Sequence, residues 1–229
     1  MKDYKLALSD EILMQVEKPA RYIGNEVNAV MKDKNKIKVR FAMCFPDVYE
    51  IGMSHLGIQI IYDMLNRFDD VWCERVYSPW TDLDAVMRRE NIKLFALESQ
   101  DAIQNFDFLG ITLQYEMCYT NILQVLDLAQ IPLLAKDRNE EHPIVIGGGP
   151  CTYNPEPLAD FFDIFYIFVY SFFCSLFIFI VTFCNASTSN AKFTNTIFIL
   201  INNFYFDMFH WNSNCSCFFL INIFCCNYW

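Results

Sequence analysis

Between Lys36 and Ile167 the chain alternates between short apolar runs and segments whose apolar residues recur three and four positions apart. Ile37–Cys44 is a β-prone run, followed by a loop over Phe45–His55 that carries Pro46 and Gly52. Leu56–Phe68 then sets Leu56, Ile60, Ile61, Met64, Leu65 and Phe68 at helical spacing. The same reading predicts strands over Val71–Tyr77, Lys93–Leu97, Phe106–Leu113, Pro143–Ile146 and Asp163–Ile167. It predicts helices over Thr81–Glu90, capped by Thr81 or Asp82, and over Thr120–Ala129, with Ile122, Leu123, Leu126 and Leu128 on the apolar side. Residues 1–36 mix charge with isolated apolar positions, punctuated by Pro19 and Gly24. They read as a short amphipathic lead-in, helical over Ser9–Val16 with Ser9 or Asp10 as cap.

Strands alternating with helices of about ten residues are βαβ units, which predict an α/β fold with a mainly parallel sheet covered on both faces. In such sheets ligands bind beyond the carboxyl ends of the strands, where the strand order reverses. The loops to inspect are therefore those after Cys44, after Leu113 and after Ile146.

At Ile167 the pattern stops. Residues 1–167 hold 42 of the 44 charged side chains and every Gly and Pro, whereas residues 168–229 hold only Lys192 and Asp207. That last stretch is crowded with Phe, Asn and Cys. The chain thus divides into a lead-in (1–36), an α/β domain (37–167) and an aberrant tail (168–229). The whole-chain value of 54% hydrophobic residues describes neither of the last two. A net charge of −10 argues against a nucleic-acid partner, whose phosphates need a basic surface. The charged first 21 residues lack the apolar core of a secretory signal, so ten cysteines read as reduced thiols of a cytoplasmic protein.

The first loop, from Cys44 to Gly57, is long for a βα connection. It offers Asp47, Tyr49 and Glu50, and its end, Ser54-His55-Leu56-Gly57, opens a helix whose free N–H groups suit an anion. The plainer reading is that Ser54 caps the helix, Gly57 allows close packing and the carboxylates bond to backbone. His55 reads either as a metal ligand or as a hydrogen-bonding loop residue. After the second strand come Thr112 and Gln114, in a loop of polar and aromatic groups. The third loop, Gly147-Gly148-Gly149-Pro150, removes every Cβ, so a flat ligand or its phosphate fits against the backbone; the alternative is a tight turn into Pro150. It is neither the spaced dinucleotide pattern nor a P-loop.

Cys44, Cys73, Cys118 and Cys151 lie far apart in sequence, and the tail adds only Cys215-Ser-Cys217 and Cys225-Cys226 at close spacing. No C-x-x-C pair or C-x-x-x-C-x-x-C run exists, so the sequence supplies no zinc or iron–sulfur motif. No Ser–His–Asp or Cys–His set can be assembled, and no catalytic residue or metal ligand set is assigned.

Several segments are familiar in wording and order: Lys18-Pro-Ala-Arg-Tyr-Ile-Gly-Asn-Glu26, Phe45-Pro-Asp-Val-Tyr-Glu-Ile-Gly-Met-Ser-His-Leu-Gly57, Cys73-Glu-Arg-Val-Tyr-Ser-Pro-Trp80 and Leu97-Glu-Ser99. Leu113-Gln-Tyr-Glu116, Tyr119-Thr-Asn121, Gly147-Gly-Gly-Pro-Cys151 and Asn154-Pro-Glu-Pro-Leu-Ala-Asp-Phe-Phe162 complete them. Over about residues 10–167 the chain resembles the amino-terminal region of large, cobalamin-binding-domain-like radical S-adenosylmethionine proteins of bacteria. The resemblance implies a flavodoxin-like, Rossmann-type domain preceding a radical S-adenosylmethionine barrel. In that family type a [4Fe–4S] cluster on C-x-x-x-C-x-x-C cleaves S-adenosylmethionine, and in cobalamin-dependent members the small domain holds the corrin. By that resemblance the cofactor-facing set is Asp47, Tyr49, His55, Gly57, Thr112, Gln114, Gly147, Gly148 and Gly149. The D-x-H-x-x-G cobalamin signature is absent, since Asp47 and His55 stand eight positions apart; the Ser-x-Leu element meets Thr112-Leu113, and Gly147-Gly148 matches the Gly-Gly element.

The barrel and its cluster cysteines are missing from this sequence, which makes the barrel the implied partner and leaves the chain alone without S-adenosylmethionine cleavage. Relatives continue with a Gly-Asp/Glu-Gly-Glu turn where Phe168-Val-Tyr-Ser stands here. Phe, Asn, Ile, Tyr and Lys are what A/T-rich codons give in an unintended frame, so the tail reads as a frameshift or truncation product. The competing reading makes the chain a ligand-sensing or interaction module anchored by Ile164–Phe183, twenty residues without a charge.

Overall fold

Five parallel strands form the centre of the molecule, and each takes its place through an apolar run that the helices cover. The computed structural model describes residues 6–169, 178–183 and 223–225. The strands are β1 (Val39–Phe45), β2 (Val71–Tyr77), β3 (Phe108–Thr112), β4 (Ile144–Gly148) and β5 (Ile164–Val169). Their order is β2-β1-β3-β4-β5, with registers such as Val39↔Val71, Phe41↔Phe108, Phe108↔Ile144 and Ile146↔Ile164. The order reverses between β1 and β3, as in flavodoxin-like sheets. Two further strands, β6 (Ile178–Phe183) and β7 (Ile223–Cys225), extend the β5 edge, β6 antiparallel to β5 and β7 parallel to β6.

The helices are α1 (Asp10–Leu13), α2 (Tyr49–Gly52), α3 (Leu56–Asn66), α4 (Thr81–Glu90) and α5 (Tyr119–Leu128). On one sheet face Ala42, Cys44, Val76, Leu109, Ile111 and Val145 pack with Leu83 and Met87 of α4 and with Ile122, Val125 and Leu126 of α5. On the other, Val39, Met43, Phe45, Val71, Cys73 and Phe108 pack with Ile58, Tyr62 and Leu65 of α3. The sheet is thus covered on both sides, as the alternating pattern requires, and the fold is α/β of the Rossmann, flavodoxin-like kind.

The lead-in is bound to this body along its length. Leu8, Val16 and Tyr22 are buried in the core. The Ala7 N–H donates to Gln100 Oε1 at 3.1 Å, Gln100 Nε2 donates to the Tyr22 carbonyl at 3.2 Å, and the Trp80 N–H donates to the Tyr22 hydroxyl at 3.2 Å. Further along, Lys32 Nζ donates to the carbonyls of Asn66, Phe68 and Val71 at 2.6–2.8 Å, closing the carboxyl end of α3.

Three sequence expectations need correction. Lys93–Leu97 is not a strand: its only ladder contact is one bridge, Phe95 to Ala102. Its backbone is spent singly on different partners, Leu94 N–H on the Leu128 carbonyl and Leu97 N–H on the Arg75 carbonyl. The apolar stripe of α3 is rotated from the one expected: Ile58, Tyr62 and Leu65 face the core, while Leu56 and Ile60 are exposed. Finally, the cap position of α4 belongs to Trp80, and Asp82 instead accepts the Glu17 N–H at 2.9 Å. Among the described residues no helix is long and apolar enough to cross a membrane. The ends of the uncharged Ile164–Phe183 stretch are strands β5 and β6; the expectations of a shifted frame or anchor otherwise fall on residues outside those described.

Candidate functional site

The loops singled out from sequence all emerge at the carboxyl ends of β1, β3 and β4, beside the β1/β3 reversal. Asp47 follows β1 and turns back on its own loop. Its Oδ1 accepts the Val48 N–H at 2.7 Å, its carbonyl accepts the Ser78 N–H at 2.9 Å, and its Oδ2 accepts a short hydrogen bond from the Tyr115 hydroxyl. Tyr115 comes from the loop after β3, so this bond spans the reversal point. Asn121 Nδ2 makes a second span, donating to the Pro46 carbonyl at 3.0 Å. The bond to Asp47, then the neighbouring Cys118 thiol and burial, raise the Tyr115 hydroxyl's pKa above the ordinary tyrosine value. Tyr115 and Asn121 lie in segments that mark the resemblance, but neither stands out as a site residue in the sequence, because one aromatic in a loop or one amide in the first turn of a helix carries no periodic signal.

His55 holds the cap position of α3. Its Nδ1 accepts the Ile58 N–H at 3.3 Å and its ring leans on Phe45, 5.2 Å between centroids. A neutral imidazole has one free nitrogen lone pair, and the cap uses it, which leaves none for a metal in this arrangement. Gly57 belongs to the same unit, since a Cβ there would stand 2.9 Å from His55 Cε1. Tyr49 is directed elsewhere: its hydroxyl donates to Glu26 Oε1 at 2.5 Å and its ring meets Tyr77 edge-on. Burial first, then the Glu26 bond, pushes the Tyr49 hydroxyl up to about 12. Sequence reading therefore grouped residues that the structure divides between the reversal point (Asp47, Thr112, Gln114) and the β2 side (Tyr49).

Thr112 pairs with Gly148 across β3 and β4, and Gln114 Nε2 donates to the Thr112 hydroxyl at 2.5 Å. The three glycines have three different reasons. A Cβ on Gly147 would meet Leu113, Phe165 and Phe162 at 3.0–3.1 Å, so its place in the core is already filled. Gly149 has φ +124°, and a Cβ would approach the Leu113 carbonyl oxygen to 2.7 Å. Among the described residues a Cβ on Gly148 would meet nothing nearer than Tyr166, at 3.9 Å, and none of them requires glycine at 148. The loop beyond is held by Thr152, whose hydroxyl donates to the Gly149 carbonyl at 2.6 Å.

These residues fit the face of a flat ligand at Gly148, Thr112 and Gln114, with no protein nitrogen supplied to a metal by His55. They do not fit an iron–sulfur cluster: no group of three His, Cys, Asp or Glu among the described residues is placed to hold a metal. Cys44, Cys73 and Cys118 are buried, and burial raises each thiol's pKa, away from the thiolate that a cluster needs.

An uncharacterized protein of Methanocaldococcus jannaschii is 30% identical over 129 residues, which cover 55% of this chain and 23% of the relative. The chain therefore spans about a quarter of that relative's length. No solved structure matches. The sequence model of the family described as radical SAM proteins, N-terminal, matches residues 57–168, the segment from the start of α3 into β5.

Proposed function

We propose that the chain is the amino-terminal, cobalamin-binding-like domain of a radical S-adenosylmethionine enzyme, and that its carboxyl edge takes the flat face of a corrin. The observation that carries the reading is Gly148, a glycine that none of the described residues requires, at the end of a strand near the reversal point. Around it Thr112 and Gln114 offer polar groups, and Asp47 lies across the reversal point with its carboxylate already engaged by Tyr115. The family match supports a radical S-adenosylmethionine protein as the whole; in this reading S-adenosylmethionine cleavage belongs to an iron–sulfur cluster on a separate barrel, which would be the domain's partner. His55 Nδ1 is engaged by the Ile58 N–H, so a corrin bound here would draw no ligand from that side chain.

The test is a titration of the purified chain with hydroxocobalamin, followed in the visible spectrum. The expected result is a saturable spectral shift that Gly148→Val abolishes while its circular dichroism stays that of the parent. No shift, or an equal shift in the variant, removes the corrin assignment. Deoxyadenosine formed from S-adenosylmethionine by this chain alone, reconstituted anaerobically with iron and sulfide, would overturn the assignment of catalysis to a separate barrel.

A further inference from the structure

The turn that joins α3 to β2 gathers main-chain oxygens around one point. The carbonyls of Asn66, which ends α3, of Phe68 and of Val71, which begins β2, all accept from Lys32 Nζ, at 2.8, 2.6 and 2.6 Å. A lysine ammonium has three N–H donors and no acceptor, so this tripod of oxygens saturates it. The distances are those of charge-assisted bonds, and the Asn66 oxygen lies at the negative end of the α3 dipole. The charges of Asp69 and Asp70 also favour the ammonium, against the burial that lowers its pKa.

The shape of the turn does not depend on Lys32. Asn66 brackets Cys73: its Nδ2 donates to the Cys73 carbonyl and its Oδ1 accepts the Cys73 N–H, both at 3.0 Å. The Asp70 carbonyl accepts the N–H groups of Lys38 and Val39 at 2.8 and 3.1 Å, which ties the turn to the start of β1. Lys32 is delivered separately, by the lead-in. There the Val30 N–H donates to the Tyr62 hydroxyl at 2.7 Å, and the Val30 carbonyl accepts from Trp72 Nε1 at 2.9 Å.

We infer that the α3–β2 turn is a monovalent-cation site, and that the Lys32 ammonium is the cation it holds. Backbone carbonyls are the groups that replace the hydration shell of potassium, an ion close to ammonium in size. A divalent ion fits poorly, because calcium and magnesium take about six or more oxygens, carboxylates among them. Here the Asp70 carboxylate is engaged instead with Lys38 Nζ, at 3.2 Å. Tethering gives the Lys32 ammonium a high local concentration, so it excludes free ions while the lead-in is in place. Potassium or ammonium enters once the tethered group is removed.

The experiment is thermal unfolding of the full chain and of Lys32→Ala in the chlorides of choline, sodium, potassium and ammonium at one ionic strength. Hydrogen exchange over residues 66–72 gives the local readout. In choline the variant is expected to melt at least about 5 °C below the parent, whose own midpoint stays within about 1 °C across the four salts. Potassium or ammonium recovers at least half of the loss, saturably, and restores protection over 66–72; sodium, a smaller ion, recovers less. A loss that no cation reverses, or that all reverse alike, overturns the site and leaves Lys32 a hydrogen-bonding cap. If the variant does not fold in choline, ammonium is expected to restore folding, and failure in every salt overturns the site as well. Lys32→Arg keeps the charge, but its planar fork cannot aim three N–H groups at one point. It is expected to melt below the parent and to gain nothing from ammonium. An arginine variant as stable as the parent would show that charge alone is at work, and the site falls.

Discussion

The β2 side of the domain and its carboxyl edge are built on opposite plans. β2 ends the parallel sheet and is buried along its whole length, Glu74 and Arg75 included. Arg75 bonds to Glu98 through Nε at 2.6 Å and to Glu26 through Nη1, while Glu98 Oε2 also accepts the Arg75 N–H at 2.7 Å. One strand over, Arg40 bonds to Glu74, Asp101 and Ser99, with its guanidinium 4.0 Å from the Phe106 ring centre. An edge strand presents unpaired N–H and C=O groups. Here Leu97 and Glu98 take those of Arg75, and the lead-in covers them. At the carboxyl edge the loops are joined by a few cross-bonds, such as Asp47 to Tyr115, and apolar side chains face water. Where the chain has closed its own edge, the buried charges of Glu74, Arg75 and Glu98 are all partnered. Where it has not, apolar side chains such as Met117 and Tyr153 stay in water.

Breaking the β2 side gives the largest expected effect. Burial pulls the Arg75 guanidinium's pKa down, but Glu98 and Glu26 outweigh it and raise the value, so the group is charged throughout. Arg75→Ala strands the Glu98 carboxylate, which is 1% exposed, and the expected loss is about 3–5 kcal/mol in urea unfolding. That is a large share of the 5–15 kcal/mol typical of a domain. Lys18→Ala, which removes a 3.5 Å pair with Glu50 between exposed groups, is expected to cost less than about 0.5 kcal/mol. Equal losses in the two variants would erase the distinction between the two kinds of ion pair.

The glycines sharpen the other half of the comparison. Gly149→Ala must place a Cβ 2.7 Å from a carbonyl oxygen at φ +124°, and a loss of about 2 kcal/mol is expected. Gly148→Ala is expected to change stability by less than about 0.5 kcal/mol. Reversal of that order in thermal unfolding would mean that the open face at 148 is not open in solution. Tyr115→Phe removes the tie to Asp47 and is expected to cost about 1–2 kcal/mol. Its local signature is faster hydrogen exchange over residues 47–54 and the loss of one late-titrating tyrosine from the ultraviolet titration, since that hydroxyl is raised in the parent.

Acid tests the ion pairs that fasten the lead-in. Burial raises the Asp101 carboxyl, but the Lys34 bond and the Arg40 charge outweigh it and hold the pKa below the usual carboxylate value. Glu50 is likewise held low, chiefly by Arg21. A depressed folded pKa adds stability that is present above the unfolded value, about 4, and is lost as pH falls through the folded one. Hydrogen exchange over residues 17–36 and 97–102 is therefore expected to quicken below about pH 4. Unchanged protection there at pH 3 would show that apolar burial of Val16 and Tyr22, not charge, holds the lead-in.

Much of this was legible in the residues. The strands and the longer helices follow from apolar periodicity, and β2 and α4 have the bounds that the pattern predicts. The covering of β2 was not legible. Glu74 and Arg75 interrupt an otherwise apolar run, and their distant partners, Arg40 and Ser99 for Glu74 and Glu98 and Glu26 for Arg75, explain full burial. The same long-range bonding defeated the strand expected at Lys93–Leu97, whose composition is right and whose neighbours are wrong. At the site, the three-glycine run announced close backbone contact, yet which glycine faces outward depends on Leu113, Phe162 and Phe165 being packed behind Gly147.

The smallest expected effect lies at α1, where sequence and structure agree on position and differ on cause. Ser9 holds the cap position with an extended backbone, as a capping serine should, but its side chain makes no bond to the first turn. The turn is joined through the Ser9 carbonyl, which accepts the N–H groups of Ile12 and Leu13 at 3.0 Å, and every residue type has that carbonyl. Replacing a bonded cap by alanine costs about 1 kcal/mol; with no side-chain bond to lose, Ser9→Ala is expected to stay within about 0.3 kcal/mol of the parent. A full 1 kcal/mol loss in urea unfolding would mean that the hydroxyl does close the helix in solution. In that case the lead-in would be fastened at its start by its own sequence, and not only by the body it crosses.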